Sequence, residues 1–312
     1  MSALTRWQRG ARAMAAASVF VGVIGHAGPA HADQEKTVKW NENWPRVHLL
    51  EVGAIVALTI GSIELSLVKP ADHAKWSKPI LFDESARSFF KSNNENTQEL
   101  AGNLSDNIYH AMVIAPYVVD NYVVALGIHQ NADVALQMTL MNLQSLGLSG
   151  VISLSMERTV GRRRPFAQDC SGQFGPDKVG YNHCNGVDDF ESFYSGHAAA
   201  TFTMAGLTCA HHQHLPLYGG GLPDALACIV MVSLATTTGV LRLVVDRHWT
   251  SDVLTGAAVG LINGYVLPSW LHYGFGDSRK QVPTIIRTPI GYVAPVPQLY
   301  PGGAGLGLAA VF

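Results

Sequence analysis

The sequence predicts an all-α protein: a bundle of about six core helices with an extended Pro- and Gly-rich C-terminal tail. Long apolar segments run between helix-breaking residues, and β-strand patterns are sparse. Charged residues make up only 14% of the chain, well below the roughly 25% of an ordinary soluble domain. The helix faces are therefore unusually apolar. The formal net charge of −2 does not indicate the positively charged surface that binds nucleic acids, and we expect no nucleic-acid partner.

The first 32 residues have the pattern of a secretory signal peptide. Three arginines without an acid precede the apolar run AMAAASVFVGVIG, and the small-residue site AHA comes just before Asp33. We therefore expect cleavage after Ala32, with an uncleaved membrane anchor as the alternative. Export would place the protein in the periplasm, or in a membrane with its functional site facing the periplasm.

An exported protein can form disulfides, and the chain has four cysteines. Cys170 and Cys184 flank a loop rich in Gly and Asp, and we expect them to pair. Cys209 and Cys228 lie in apolar segments, where buried free thiols are the simpler expectation.

A helical domain is predicted over residues 33–280, followed by an extended tail over residues 281–312. Its helical segments are 48–68, 80–103, 106–128, 132–160, 196–212, 224–245 and 251–271. Three of them are long enough to cross a membrane. Acidic residues such as Glu51 and Asp120 interrupt the apolar runs, and charges inside a span are costly. A membrane-spanning and a soluble bundle both remain open.

Three polar blocks at predicted helix ends point to phosphate chemistry. GRRRPF contains Arg164, SFYSGH contains Ser195, Gly196 and His197, and LRLVVDRHWTSD contains Arg242, His248 and Asp252. A helix N-terminus with a glycine binds anions, and guanidinium groups bind phosphate oxygens in pairs. Two histidines suit a displacement in two steps, with one attacking phosphorus and the other protonating the leaving oxygen. A carboxylate four residues after His248 would lie on its helix face and fix its tautomer.

The order of these blocks resembles the type 2 phosphatidic acid phosphatase and vanadium haloperoxidase superfamily, which also includes bacterial class A acid phosphatases. Its pattern is K-x6-R-P, P-S-G-H and S-R-x5-H-x3-D, and the matching blocks cover residues 157–252. The resemblance implies catalysis without a metal or other cofactor. It also implies a role for each matching residue: His248 as nucleophile, His197 as general acid and base, Asp252 orienting His248, and Arg164, Arg242, Ser195 and Gly196 binding phosphate.

The sequence departs from this pattern at three positions. Glu157 replaces the lysine, Tyr194 replaces the proline before Ser195, and Leu241 replaces the serine before Arg242. A carboxylate would repel phosphate, so we expect Glu157 to turn away into a surface salt bridge. Arg158 is the nearest cation that can bind phosphate in its place.

The resemblance implies a phosphatase that hydrolyses a phosphomonoester or pyrophosphate through a phosphohistidine. The apolar composition favours a lipid phosphate and contact with a membrane. Two alternatives stay open: a vanadate-dependent haloperoxidase, and a non-catalytic lipid-binding relative in which Glu157 marks a lost activity. HHQH at 211–214 suggests metal ligands, but adjacent histidines point in different directions on a helix, so a structural role is favoured.

Overall fold

The computed structural model describes residues 38–70, 73–170, 178–184 and 189–274, together with three backbone strands between 286 and 311. The predicted signal peptide lies outside the described residues. The chain divides into two compact units, Met1–Tyr273 and Gly274–Phe312. The first unit contains all the helices described below.

The described part of the first unit is a bundle of seven helices, which confirms the all-α prediction. The helices are α1 (Leu49–Leu67), α2 (Asp83–Phe90), α3 (Glu95–Pro116), α4 (Ala132–Val160), α5 (Gly196–His214), α6 (Leu222–Val244) and α7 (Thr250–Leu261). Wider π-helical turns extend α3 through Tyr117–Ile128 and α7 through Ile262–Val266 and Ser269–Tyr273. A short hairpin, β1 (Lys178–Val179) with β2 (Asn182–His183), lies between α4 and α5.

One predicted helix boundary was wrong. The segment 80–103 is divided, because α2 ends at Phe90 and α3 begins at Glu95 and runs on without a break past residue 106. The cause is local: the Asn94 side chain accepts a hydrogen bond from the Thr97 amide at 3.1 Å and so caps a new helix. Asn131 starts α4 in the same way, through the Val134 amide, and Gly161 ends it in the left-handed conformation.

Helix α5 occupies the centre of the bundle. Fourteen of its 19 residues are buried, and it packs against α3, α4, α6 and α7. This position explains why its sequence carries apolar and small side chains all around rather than on one face. Its N-terminus therefore lies among the ends of several other helices, where a site can be assembled.

A row of glycines lets α7 and its extension approach α5 closely. A Cβ atom on Gly256 would lie 2.6 Å from the carbonyl oxygen of Ser195, and one on Gly260 would lie 2.4 Å from that of Ala199. Gly264 repeats the pattern one turn later against Thr203. Since real side chains cannot come so close, these glycines fix the distance between the two helices.

Among the residues that the structure describes, four helical stretches are long and apolar enough to cross a membrane. They are Leu49–Leu67, Glu95–Ile128, Leu222–Val244 and Thr250–Tyr273. Helix α1 is the extreme case, because only 6% of its most apolar 18-residue window is buried inside the protein. An apolar helix that buries so little of its surface within the bundle suits a lipid environment.

Two disulfides join the described cysteines. Cys170 bonds to Cys184, and Cys209 in α5 bonds to Cys228 in α6. The expectation of free thiols at Cys209 and Cys228 was therefore wrong. The two apolar segments that carry them are neighbouring helices, and the cysteines face each other across the contact.

The second unit contains a three-stranded antiparallel sheet in the order β3 (Ile286–Thr288), β4 (Gly291–Tyr300) and β5 (Gly303–Val311). Tyr292 pairs with Val311 and Tyr300 pairs with Gly303 at the two ends of the longer ladder. These strands fall within the segment for which the sequence predicted an extended tail.

Candidate functional site

Residues from all three polar blocks meet at one end of the bundle, around a cavity of about 750 Å³. The end of α4, the loop after it, the start of α5, the end of α6 and the loop before α7 all contribute. Charged and histidine side chains line one part of the cavity: Asp106, Glu157, Arg164, Glu191, His197, Arg242, Arg247 and His248. The cavity continues between α1 and α4, where apolar side chains such as Ile63, Leu143 and Leu154 line it.

His248 lies in the loop before α7 and is held by both ring nitrogens. Its Nδ1 is 2.9 Å from the backbone carbonyl oxygen of Ser192, and its Nε2 is 3.1 Å from Nη1 of Arg164. A carbonyl oxygen can only accept, so Nδ1 carries the proton and Nε2 keeps its lone pair. Burial lowers the pKa of His248 well below its ordinary value, and the positive charges of Arg164 and Arg242 lower it further. The ring is therefore neutral at physiological pH, with its unprotonated nitrogen beside Arg164.

Asp252 is fully buried but does not contact His248 directly. Its carboxylate accepts hydrogen bonds from the Ser192 hydroxyl at 2.6 Å and from the Trp249 amide at 2.9 Å. The sequence predicted that both residues share a helix face, but His248 precedes α7 and Asp252 lies in its first turn. Asp252 therefore acts on the loop and on Ser192, the residue whose carbonyl holds the imidazole.

Arg162 connects Asp252 to a second buried carboxylate. Its guanidinium donates to Asp252 at 2.5 Å, to Asp83 at 2.6 Å and to the Ser251 hydroxyl at 2.7 Å. The indole ring of Trp76 lies 3.9 Å from the guanidinium carbon, a cation–π contact. This network joins α2, the loop after α4 and the start of α7, so it fixes the elements that surround His248.

His197, in the first turn of α5, is bonded to an acid that the sequence analysis missed. Its Nε2 lies 2.9 Å from Oδ1 of Asp106 on α3, and the same oxygen accepts from Nη1 of Arg242 at 3.1 Å. Burial and the neighbouring Arg242 lower the pKa of His197 to about 4, and Asp106 opposes that shift. A single acid in the middle of a long helix is a weak signal, and its partners are 91 and 136 positions away in the chain.

Ser195 and Gly196 form the start of α5. The Ser195 hydroxyl caps the helix by accepting from the Ala198 amide at 3.4 Å, and the residue is fully buried. A Cβ on Gly196 would lie 3.2 Å from Oε1 of Glu157. The glycine therefore leaves room for an anionic group at the helix N-terminus.

Glu157 faces the cavity, and the expectation of a surface salt bridge there was wrong. Its carboxylate is close to the Gly196 amide, Arg164 and Arg158. Burial raises the pKa of Glu157 to about 7, although the arginines and the Gly196 amide act in the opposite direction. It is the neighbouring Arg158 that turns away, pairing with Glu191 and donating to the Leu65 carbonyl oxygen.

His211, His212 and His214 are not among the residues that line this cavity, and each contacts side chains elsewhere in the bundle. His211 contacts the Tyr273 hydroxyl and Asn142, His212 contacts Asp224, and His214 stacks on the Tyr273 ring. Asp120 is a buried partner of the Tyr218 hydroxyl, at 2.6 Å. Within the described ranges, no group of three His, Cys, Asp or Glu side chains is arranged to hold a metal ion.

The part of the sequence that carries this site matches a known protein family. Residues 139–275, which include α4, α5, α6, α7 and the loops that carry the site, match the PAP2 superfamily. This segment of the chain belongs to the PAP2 superfamily. The match agrees with the resemblance that the three polar blocks suggested.

The chain is also similar to two known proteins. A lipid A 1-phosphatase from Porphyromonas gingivalis is 39% identical over 101 residues, which is 32% of this chain and 18% of that protein. The chain thus matches less than a fifth of the length of this relative. The crystal structure of a transmembrane PAP2-type phosphatidylglycerolphosphate phosphatase from Bacillus subtilis aligns with a TM-score of 0.39 and 17% identity, over 70% of this chain and 94% of that one.

Proposed function

We propose that this PAP2 protein is a phosphatase that hydrolyses a lipid phosphomonoester or pyrophosphate, with His248 as nucleophile and no metal cofactor. The observation that carries the proposal is the state of the His248 ring. The Ser192 carbonyl holds the proton on Nδ1, and the lone pair on Nε2 faces Arg164 inside the cavity. A neutral imidazole with a fixed tautomer, beside a guanidinium that binds phosphate, suits nucleophilic attack on phosphorus.

In the first step, Nε2 of His248 attacks phosphorus, and the bond from phosphorus to the ester oxygen breaks. His197 gives a proton to the departing oxygen, which leaves as an alcohol or, from a pyrophosphate, as a phosphate. Arg164 and Arg242 neutralise the charge on the phosphoryl oxygens during the transfer. The product of this step is a phosphohistidine on His248.

In the second step, water attacks the phosphohistidine, and the phosphorus–nitrogen bond breaks. His197, now neutral, removes a proton from the water as its oxygen bonds to phosphorus. Inorganic phosphate leaves and the lone pair on Nε2 of His248 is restored. Asp252 keeps the loop and Ser192 in place throughout, because its contacts do not involve the reacting atoms.

A lipid substrate is supported by the shape of the cavity. The polar part holds the histidines and arginines, and the remaining part runs between α1 and α4 with apolar side chains along it. Helix α1 exposes an apolar surface beside this opening. The name of the Porphyromonas gingivalis relative, lipid A 1-phosphatase, also supports a phosphorylated lipid.

We further propose that the site faces the periplasm or the outside of the cell. The Cys170–Cys184 disulfide lies in the segment between the Arg164 loop and α5, and disulfides persist in oxidising compartments. Labelling of these two cysteines by a membrane-impermeant thiol reagent, after mild reduction of intact cells, tests the orientation. Labelling only after lysis would place the site on the cytoplasmic side.

The activity is tested by phosphate release from lipid A, phosphatidate, an isoprenoid pyrophosphate and a soluble aryl phosphate, with EDTA present. The purified full-length protein is compared with His248→Ala and with a matched control, His183→Ala, which alters an exposed histidine of the β1–β2 hairpin. We expect release from at least one lipid to be lost in His248→Ala and retained in the control. A folded protein that releases no phosphate from any ester would contradict the proposal and favour a non-catalytic relative.

A further inference from the structure

The carboxylate of Glu157 occupies the part of the cavity where an anion is expected. Its Oε1 is 3.2 Å from the position of a Cβ on Gly196, at the N-terminus of the 19-residue helix α5. The Gly196 amide donates to this carboxylate, and Arg164 and Arg242 act on it electrostatically. Glu157 therefore shares its binding groups with the phosphoryl group that the proposed reaction requires.

We propose that Glu157 is a specificity-determining residue that binds the phosphoryl group as a neutral carboxylic acid. The substrate then enters together with one proton, which Glu157 holds and donates in a hydrogen bond to a phosphoryl oxygen. This inference rests on the proposed phosphatase function and extends it to the substrate's charge state. It assigns to Glu157 the donor role that the lysine has in the superfamily pattern.

The physical reason is that two anions repel each other when they occupy one small binding site. An ionised carboxylate beside a phosphate dianion is disfavoured by like-charge repulsion, which is strong where water is scarce. A protonated carboxyl group has an O–H donor and no charge. It can therefore bond to a phosphoryl oxygen while the Gly196 amide and the arginines stay available to the other oxygens.

The surroundings of Glu157 make this protonation accessible. Burial raises the pKa of Glu157 to about 7 even with Arg164, Arg158 and Arg242 nearby. An entering phosphate dianion offsets the positive charge of these arginines and raises the pKa of the carboxyl group further. Proton uptake at Glu157 is then coupled to the binding of the phosphoryl group.

The groups that surround Glu157 are not expected to titrate in the same pH range as its carboxyl group. They are Tyr109 from α3, Arg158 from α4, Arg164 from the following loop, Tyr194 and Gly196 at the start of α5, and Arg242 from α6. Arg158 is already paired with Glu191. The pKa values of His197 and His248 are both lowered, so these rings are neutral above pH 6. Between pH 6 and 8.5, Glu157 is the group in this set expected to titrate.

The test measures the binding of sulfate, a tetrahedral dianion that does not titrate in this range, to the purified full-length protein by calorimetry. The variants are Glu157→Gln, which is neutral at every pH, and Glu157→Lys, which restores the residue of the pattern. For the wild type, we expect the affinity to fall roughly tenfold for each pH unit above 7. We expect both variants to bind with no such slope, and Glu157→Lys to bind more tightly than the wild type at pH 8.5.

Two results would overturn the inference: a wild-type affinity that does not change with pH, or a slope that persists in Glu157→Gln. Binding by Glu157→Lys with none by the wild type at pH 6 would also contradict it. His248→Ala separates this test from that of the proposed function. We expect that variant to lose phosphate release but to retain sulfate binding and its pH slope, so failure of turnover and failure of proton-coupled binding are distinct results.

Discussion

Asp106 bridges the His197 ring and the Arg242 guanidinium in the site. One carboxylate oxygen accepts from both the His197 ring and the Arg242 guanidinium. Burial and Arg242 lower the pKa of His197 to about 4, and Asp106 opposes this shift. Asp106 therefore enlarges the fraction of rings that carry a second proton at a given pH. Asp106 thus positions His197 and maintains its capacity as an acid, without touching the phosphoryl group itself.

Replacing Asp106 by asparagine is expected to impair leaving-group protonation selectively. Loss of the carboxylate lowers the pKa of His197 further, so a smaller fraction of the ring is protonated at any pH above that value. We expect kcat/KM for an alkyl phosphate to fall by about 100-fold, within the range of a general acid's contribution. For p-nitrophenyl phosphate, whose leaving group departs without a proton, the loss is expected to be several-fold smaller.

Ser105→Ala is the matched control for that experiment, because it removes another acceptor of Arg242 and leaves Asp106 intact. The measurement is the ratio of kcat/KM for the two esters in each variant, with the pH profile of the alkyl ester. Equal losses for both esters in Asp106→Asn would indicate a structural role alone.

At the level of single residues, the sequence predicted the members of the site better than their contacts. The residues Arg164, Gly196, His197, Arg242 and His248 line one cavity, as the three blocks suggested. The partners of His197 and His248 were not predictable. Asp106 lies outside the three blocks, and Ser192, although it begins the SFYSGH block, holds His248 through its backbone carbonyl, which residue type does not reveal. The orientation of Glu157 was also missed, since a helix register alone does not show which side faces a cavity.

At the level of helices, the contact between α5 and α7 is set by backbone rather than by side chains. Gly256 and Gly260 face the carbonyl oxygens of Ser195 and Ala199 at distances that leave no space for a methyl group. Because Ser195 precedes His197, any widening of this contact moves His197 relative to His248, which lies in the loop before α7.

Replacing Gly260 by alanine is therefore expected to reduce both stability and activity. The methyl group would meet the Ala199 carbonyl oxygen at 2.4 Å and force the helices apart, a type of overpacking that costs about 1–3 kcal/mol. Gly53→Ala on α1 is the control, because nothing lies within 4 Å of its added methyl group. Thermal unfolding in detergent and kcat for the preferred ester are measured for both; similar behaviour of the two variants would contradict the close-contact argument.

Helix boundaries were predicted where capping residues are clear and missed where a short break divides a polar segment. The predicted range 132–160 coincides with α4, which has Asn131 at its start and Gly161 at its end. The break between α2 and α3 depends on one side chain, Asn94, within a run of residues that all suit a helix surface or a turn. A break that depends on one local cap is not detected by helix propensity summed over the segment.

For the whole molecule, the two disulfides are the covalent constraints on the bundle. Cys170–Cys184 closes a segment of 14 residues beside the site, and Cys209–Cys228 connects α5 to α6 across 19 residues. In the chain-entropy model, a loop of this size contributes about 3 kcal/mol by restricting the unfolded chain. The second disulfide could not be read from the sequence, because the facing sides of two apolar helices are indistinguishable by composition.

The double variant Cys209→Ala/Cys228→Ala is expected to unfold at a lower temperature than the wild type while keeping its kcat, because the bond lies away from the cavity residues. Thermal unfolding with and without a reductant measures the effect: reductant should lower the wild-type midpoint further than that of the variant. An unchanged midpoint in the variant would show that the α5–α6 packing is sufficient without the bond.

The distribution of the site along the chain has a consequence for how the protein is made. Asp106, Glu157, His197 and His248 come from four separate stretches, and His248 is the last of them to be synthesised. A nascent chain that stops before residue 248 has a cavity wall but lacks the nucleophile of the proposed reaction, and one that stops before Asp252 lacks the group that anchors the Ser192 hydroxyl. If the proposed mechanism holds, we expect no turnover by translation products that end before the last helix of the bundle.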